Sequence, residues 1–384
     1  MAFMRNDAIN RVNIHTTIQA FAQGSGGLFF LIVLLQAGVS IAAALLALAA
    51  IHVGRFVLRP LLLPLARRFG LKPLLIFGAL VLALPYPALA AVDGVGTAFY
   101  VLIVLMALGD IFYWVSYNAY FSALGDAEHR GHQVGMREAL VAVVSIIAPL
   151  IGAWVLVTAG PRWLFPGVAL VQILSVVPLL GAPNVAIAAQ ASGALRAARV
   201  GILLNAADAW FDSGFIFVWQ IALFISLGES VAAYGGAMAL AGLVGAAGSL
   251  LLGRHVDLGH GRRSVIIAYA IGISVVALRA ASFGSPLLAI AANTLGALVL
   301  PLIVPVAASP LYNLAKASPC PFRFHLAAEG GWDVGCAAAC LSAAAIAASG
   351  ASLAWAIVLA IPALLGASLV LWRYYAPRPL AAVA

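Results

Sequence analysis

Twelve apolar stretches of membrane-crossing length follow one another along the 384 residues, and the few cations between them are sorted into alternate gaps. The stretches read 12–36, 38–58, 73–92, 97–122, 134–157 and 163–181, then 199–226, 231–252, 264–281, 285–309, 327–348 and 351–373. Of the 20 Lys and Arg, 18 lie at the termini or in every second gap. They are Arg5 and Arg11, then Arg55, Arg59, Arg67, Arg68 and Lys72, then Arg130 and Arg137, and Arg196 and Arg199. Arg254, Arg262 and Arg263 follow, then Lys316 and Arg323, and last Arg373 and Arg378. Arg162 and Arg279 fall in the opposite gaps. Positive charge stays cytoplasmic during insertion. The alternation predicts a multi-pass protein of the bacterial inner (plasma) membrane with both termini in the cytoplasm.

A water-soluble core cannot use a chain that is 65% apolar and 8% charged. The solvent is the bilayer, and spans of this length satisfy their backbone groups there as helices, so the expected fold class is an all-α membrane protein. The net charge of +8 belongs to the loops. No loop is long enough to make a basic nucleic-acid surface, so the expected partners are the lipid bilayer, a small-molecule substrate and protons, with no nucleic acid. A monomer is expected. Cys320, Cys336 and Cys340 sit near one span end and inside one span, against a disulfide framework. The first apolar stretch is interrupted by Thr16, Thr17, Gln19 and Gln23 and is expected to stay as a span rather than be cleaved.

The chain divides into halves. Residues 1–181 carry six spans, 182–198 form a cytoplasmic linker, and 199–384 carry six more. Tyr117-Asn118 recurs as Tyr312-Asn313, Arg67-Arg68 as Arg262-Arg263, and Gly135 and Glu138 as Gly330 and Asp333, each pair 195 residues apart. A parallel repeat of two six-helix units is the architecture of many secondary transporters.

The loop PLARRFGLKPLL, from Pro64, resembles the loop signature of the major facilitator superfamily. Arg68, Gly70, Lys72 and Pro73 match it, whereas Leu63 and Arg67 stand where that family has glycine and aspartate. The corresponding loop GRHVDLGHGRRSV matches at Gly253, Asp257, Gly261, Arg262 and Arg263, with one residue inserted. APLIGA, Ala148 to Ala153, is similar to a segment found in proton-coupled exporters of the family. The resemblance implies alternating access by two rocking halves around a midplane site.

Ionisable groups inside spans are expensive, and by default they mark function. Asp110 lies near mid-depth of the fourth span, with Tyr113, Trp114 and Tyr117 following at helical spacing. In the seventh span Asn205, Asp208 and Asp212 form one stripe. Two like charges four residues apart disfavour simultaneous ionisation, the behaviour a proton-coupled carrier needs. Gln19 and Gln23 share a face of the first span as candidate cavity lining. Trp210 and Trp219 are expected to help shape that cavity. Gln172 and His52 read as packing residues. Glu138 and Asp333 read as first-turn acids favoured by a helix dipole, with inner-gate pairs to arginines of the cytoplasmic loops as the alternative. His129 and His132 read as a solvated loop rather than a metal site, and no cofactor or metal is expected. No phosphate loop and no nucleophile with a histidine and acid partner is visible, so no enzyme is expected. The reading is a secondary transporter of a small organic solute, coupled to protons through Asp208/Asp212 or Asp110, with export favoured over uptake. The alternative is a non-transporting sensor or assembly factor on the same scaffold.

Overall fold

A computed structural model describes residues 6–125, 130–188, 190–256 and 261–376. Among them, twelve helices are long and apolar enough to cross a membrane. In chain order they are α1 Asp7–Gln36, α2 Ile41–Phe69, α3 Leu71–Ala90, α4 Thr97–Leu124, α5 Met136–Thr158 and α6 Pro161–Leu180. The second set is α7 Arg199–Ser226, α8 Val231–Gly248, α9 Gly261–Ser282, α10 Pro286–Ala317, α11 Pro321–Ala348 and α12 Leu353–Tyr374. Twelve consecutive crossings bring the start of α1 and the end of α12 to one face, called here the termini face.

The helix starts follow local chemistry. Asn6 caps α1 by accepting from the Ile9 N–H at 3.1 Å, and the Ser40 hydroxyl caps α2 through Ala43 N–H at 3.2 Å. Proline opens α6, α10 and α11, where its missing N–H costs no helical bond.

Several helices outrun their apolar stretches. α2 continues to Phe69 instead of ending near residue 58, α10 reaches Ala317, and α11 begins at Pro321 rather than near 327. Hydropathy registers the hydrocarbon slab, whereas the backbone keeps its hydrogen bonds beyond it. The consequence is a correction to five residues. Arg55 and Arg59 are not loop cations but lie inside α2, and Asp333 is not a first-turn acid but sits halfway along α11. Glu138 is likewise no first-turn acid, because the helix that contains α5 starts at Arg130. Arg279 lies not in a gap but in the last turn of α9, buried.

Helices approach closely through small residues, as expected where no hydrophobic force drives association. Gly331 and Gly335 of α11 lie against the Ile202 and Ala206 carbonyls of α7, where a Cβ would collide with backbone. Gly242 of α8 meets the Ser145 carbonyl of α5 in the same way. The two halves meet along α2 with α11 and along α5 with α8. Near the opposite face the Tyr234 ring of α8 lies edge-on to Phe29 of α1, centroids 5.8 Å apart.

Candidate functional site

Three helices place charged side chains at their own midpoints, where α2, α4 and α11 meet. His52, Arg55 and Arg59 lie on one face of α2, since seven residues make two helical turns. Glu329 and Asp333, four apart, share a face of α11, and Asp110 comes from α4. Arg55 Nε lies 2.9 Å from Asp333 Oδ1, its Nη2 3.4 Å from Glu329 Oε2, and its Nη1 3.8 Å from Asp110 Oδ2. Arg59 pairs with the other Asp333 oxygen and donates to the Leu326 and Glu329 carbonyls at 2.8 and 3.0 Å. His52 Nδ1 stands 3.5 Å from Asp333 Oδ1. Asn118 Nδ2 of α4 donates to Glu329 Oε1 at 2.8 Å.

The carboxylates are not equally enclosed. Asp333 has no exposed side-chain surface, while Glu329 retains 12% and Asp110 14%. Charges this buried hold together only if each is answered by a partner, because the desolvation cost is several kcal/mol per ion. Two guanidinium groups face three carboxylates. The set balances electrically when it holds one proton, either on His52 or on a carboxyl. The Trp114 indole N–H, one turn beyond Asp110, donates to that carboxylate.

The polar connection continues into α7. Ser213 Oγ donates to Cys336 Sγ at 3.3 Å, one turn from Asp333, and Cys336 also meets His52. Asp212, next to Ser213, is the midpoint residue of α7. Asp208 and Asp212 are half-buried, and among the described residues neither has an ion-pair or hydrogen-bond partner. Asn205, one turn before Asp208, is buried. A π-helical turn, Ser213–Val218, follows at once. It leaves the Phe215 carbonyl to accept from Arg279, whose guanidinium carbon stacks 3.8 Å above the Phe215 ring centre and 4.8 Å above that of Trp219. Trp219 also donates to Asn293 of α10 at 3.0 Å, and Trp210 to the Leu359 carbonyl of α12 at 2.8 Å.

The aromatic ladder of α4 turns inward, within the first half. Tyr113 is buried and bonded to His15 of α1 at 3.0 Å, and His15 binds the Ser175 carbonyl at 2.7 Å. Tyr117 stacks on Tyr113 with ring centres 5.8 Å apart, and its hydroxyl accepts from Thr16 at 3.1 Å and from Arg137 at 3.2 Å. Gln19 is buried with its amide nitrogen unsatisfied, whereas Gln23 is exposed.

The first loop motif is a tight turn. Gly70 has φ +82°, open to glycine, and its Cα lies against the Asn184 amide. Asn184 accepts from the Lys72 N–H at 3.2 Å and donates to the Phe69 carbonyl at 2.8 Å. Lys72 Nζ reaches the Ala182 carbonyl at 2.8 Å, and Arg68 lies over the Phe69 ring. In the second motif Gly261 abuts the Tyr375 ring, Arg262 stacks over Trp372 at 4.1 Å, and Arg263 is exposed. Gly253 lies within the helix that contains α8. Asp257 and His129 lie outside the described residues.

Glu329, Arg55, Arg59 and His52 are the residues that sequence reasoning missed as a site. Their signal was present as two charged stripes at helical spacing, one within α2 and one within α11.

The sequence profile of the Major Facilitator Superfamily matches residues 16–210, just over half of the chain. The chain belongs to the Major Facilitator Superfamily. Solved structures agree in fold along nearly the whole length. The human organic anion transporter MFSD10 (TETRAN) is similar with a TM-score of 0.69 at 15% identity, over 95% of this chain and 99% of that one. The Escherichia coli fucose:proton symporter FucP gives 0.67 at 14% identity, over 96% and 98%. An auto-inhibited peptide transporter of the POT family gives 0.62 at 15% identity, over 97% of each chain. At these identities the likeness concerns the fold. No curated protein matches the chain in sequence. The superfamily chain is thus a multi-pass membrane protein with the transporter fold, twelve spans in two six-helix repeats.

Proposed function

We propose that this superfamily member moves a small organic solute across the bacterial inner membrane by alternating access, coupled to protons, with both termini in the cytoplasm. The observation that carries the proposal is the bridge between α2 and α11. Arg55 and Arg59 come from one repeat and Glu329 and Asp333 from the other, and the set balances with one proton. Rocking the repeats apart must separate these charges or rehydrate them. A proton gained or lost at that moment removes the cost of leaving an unmatched ion buried in the bundle. Coupling therefore acts through the same contacts that hold the halves together.

Asp110 is the carboxyl best placed to exchange that proton. It lies farthest from Arg55 among the three acids and keeps exposed surface. Asp208 and Asp212, half-buried at mid-depth of α7, supply the polar floor on which a solute or a second proton binds. Chemistry favours a solute with a cationic or hydrogen-bond-donating group there. The favoured direction is export, which rests on the APLIGA segment of α5. A sensor role accounts less well for a charge bridge that must break for the halves to move.

The test uses the purified chain in proteoliposomes. Solutes selected by thermal shift are followed under an imposed pH gradient, and reporter fusions at Ala384 and near Gly228 read topology. Gradient-driven flux and opposite-side reporters support the proposal. Binding without flux would favour the sensor, and a C-terminal reporter outside the cytoplasm would overturn the orientation.

A further inference from the structure

We infer that the polar stripe of α7, together with Tyr269 of α9, is a binding site for an alkali cation of sodium size. Four side chains there carry oxygens that the chain itself leaves unanswered. Asn205, Asp208 and Asp212 lie at i, i+3 and i+7, so they share one face of α7. Asn205 is 6% exposed and makes no hydrogen bond among the described residues. Tyr269 is 2% exposed, and its buried hydroxyl has no hydrogen-bond partner among them. That hydroxyl feels the charge of Asp208 without a hydrogen bond to it. Asp208 stands nine residues into α7 and Tyr269 eight into α9. Both helices start at the termini face, so the two groups share a depth.

The polar groups around them are already engaged. Pro310 cannot donate to the Val306 carbonyl one turn earlier, and Tyr375 donates to it instead at 3.1 Å. The Trp210 indole is held by the Leu359 carbonyl, and Ser213 donates to the Ala209 carbonyl and to Cys336. Among the described residues no cation of the chain acts on Asp208 or Asp212, and the charge that Asp212 meets is that of Asp208. A buried amide or phenol without a partner is rare, because it forfeits the hydrogen bonds it makes in water.

The four groups suit a hard cation by type. They offer carboxylate, amide and phenol oxygens, with no sulfur and no nitrogen acceptor. Two carboxylates four residues apart repel each other, so the pair keeps one net charge when one of them holds a proton. A monovalent ion answers that charge. Carboxylate oxygens make a stronger field than carbonyls, which favours sodium over potassium. Asn205 and Tyr269 are enclosed, so the ion enters past the half-buried acids. The inference rests on the placement of Asp208 and Asp212 as the floor of the transport path, and not on proton exchange at the α2–α11 bridge.

The experiment equilibrates the purified full-length chain in detergent, at mildly alkaline pH, with radiolabelled sodium, and bound label is read by scintillation proximity. Saturable binding is expected, displaced by lithium more readily than by potassium and not by choline. Asp208→Asn and Asp212→Asn should each weaken sodium binding about tenfold, since each removes formal charge from the site. Tyr269→Phe keeps the ring and loses the oxygen, so it tests the site without burdening the fold and should weaken binding about threefold. Asp93→Asn, which alters an exposed acid elsewhere, should bind at the parent level. No saturable binding, parent-like binding in both aspartate variants or in Tyr269→Phe, or an equal loss in Asp93→Asn would overturn the inference. Displacement by ethylammonium at lower concentration than by unlabelled sodium would overturn the alkali assignment and give the site to an amine. The assay holds neither solute nor gradient. Its failure therefore leaves the flux proposal standing, and a failure of flux leaves the binding result standing.

Discussion

Arg55 and Asp333, from opposite halves of the molecule, stand 2.9 Å apart at the midpoints of α2 and α11. Asp333 is fully enclosed and also answers Arg59. One carboxylate thus pairs with two cations that its own repeat does not carry. Removing it takes the one carboxylate in contact with Arg59 among the described residues, and the nearest one to Arg55, out of a buried network, which costs roughly 3–5 kcal/mol. Asp333→Ala should lower the unfolding temperature of the purified protein by several degrees. Asp333→Asn keeps the shape and loses the charge, and it should be intermediate. A thermal-unfolding series in detergent checks the order, and parent-like stability of Asp333→Ala would show that the bridge does not hold the halves.

Asp208 and Asp212 are predicted to behave differently, because no partner is stranded when either is neutralised. Asp208→Asn and Asp212→Asn should change stability by about 0.5 kcal/mol or less, as for a residue outside any buried network. Proton-driven flux should nevertheless fall at least severalfold. If both variants keep the parent's rate and pH dependence, the two acids are structural and lose their place in the proposal.

Gly70 carries φ +82° with the Asn184 amide against it. Gly70→Ala must adopt a left-handed backbone and displace that amide, at a cost of roughly 1–2 kcal/mol. Asn184→Ala should weaken the same turn by about 1 kcal/mol, since one bond to Lys72 N and one to the Phe69 carbonyl are lost. The two losses should not add in the double variant, which a thermal-unfolding cycle measures directly. Full additivity would mean that the amide and the glycine act apart.

Arg279 is buried without a carboxylate in contact among the described residues, and the Phe215 carbonyl and two aromatic faces hold it. A planar guanidinium can stack and donate at once, whereas an ammonium cannot do both. Arg279→Lys should therefore destabilise by about 1–2 kcal/mol despite keeping the charge. Unfolding measurements on Arg279→Lys and Arg279→Met separate charge from shape, and a parent-like lysine variant would remove the stacking argument.

The spans and their order were legible because the bilayer imposes a length on every apolar stretch. Asp110 was legible for the same reason, as a lone acid far from any end of its span. Asp333 was misplaced because hydropathy ends a span where polar residues begin, whereas α11 continues for two more turns towards the termini face. Arg55 and Arg59 were hidden by the charge alternation itself, since a cation just inside a helix counts with the loop beside it. Glu329 drew no notice, although its spacing of four from Asp333 is a helical stripe. Which stripes face each other is a property of packing. The glycine contacts that bring α11 against α7 are visible in the sequence only as composition.

The central claim is that the α2–α4–α11 set exchanges a proton as the halves move. The most direct measurement compares the parent and Asp110→Asn in proteoliposomes, each assayed for solute counterflow without a gradient and for accumulation under a pH gradient. The account predicts that the parent does both, and that Asp110→Asn keeps counterflow, showing an intact moving protein, while gradient-driven accumulation is lost. Accumulation by Asp110→Asn at the parent's level, or a parent indifferent to the gradient, would contradict it.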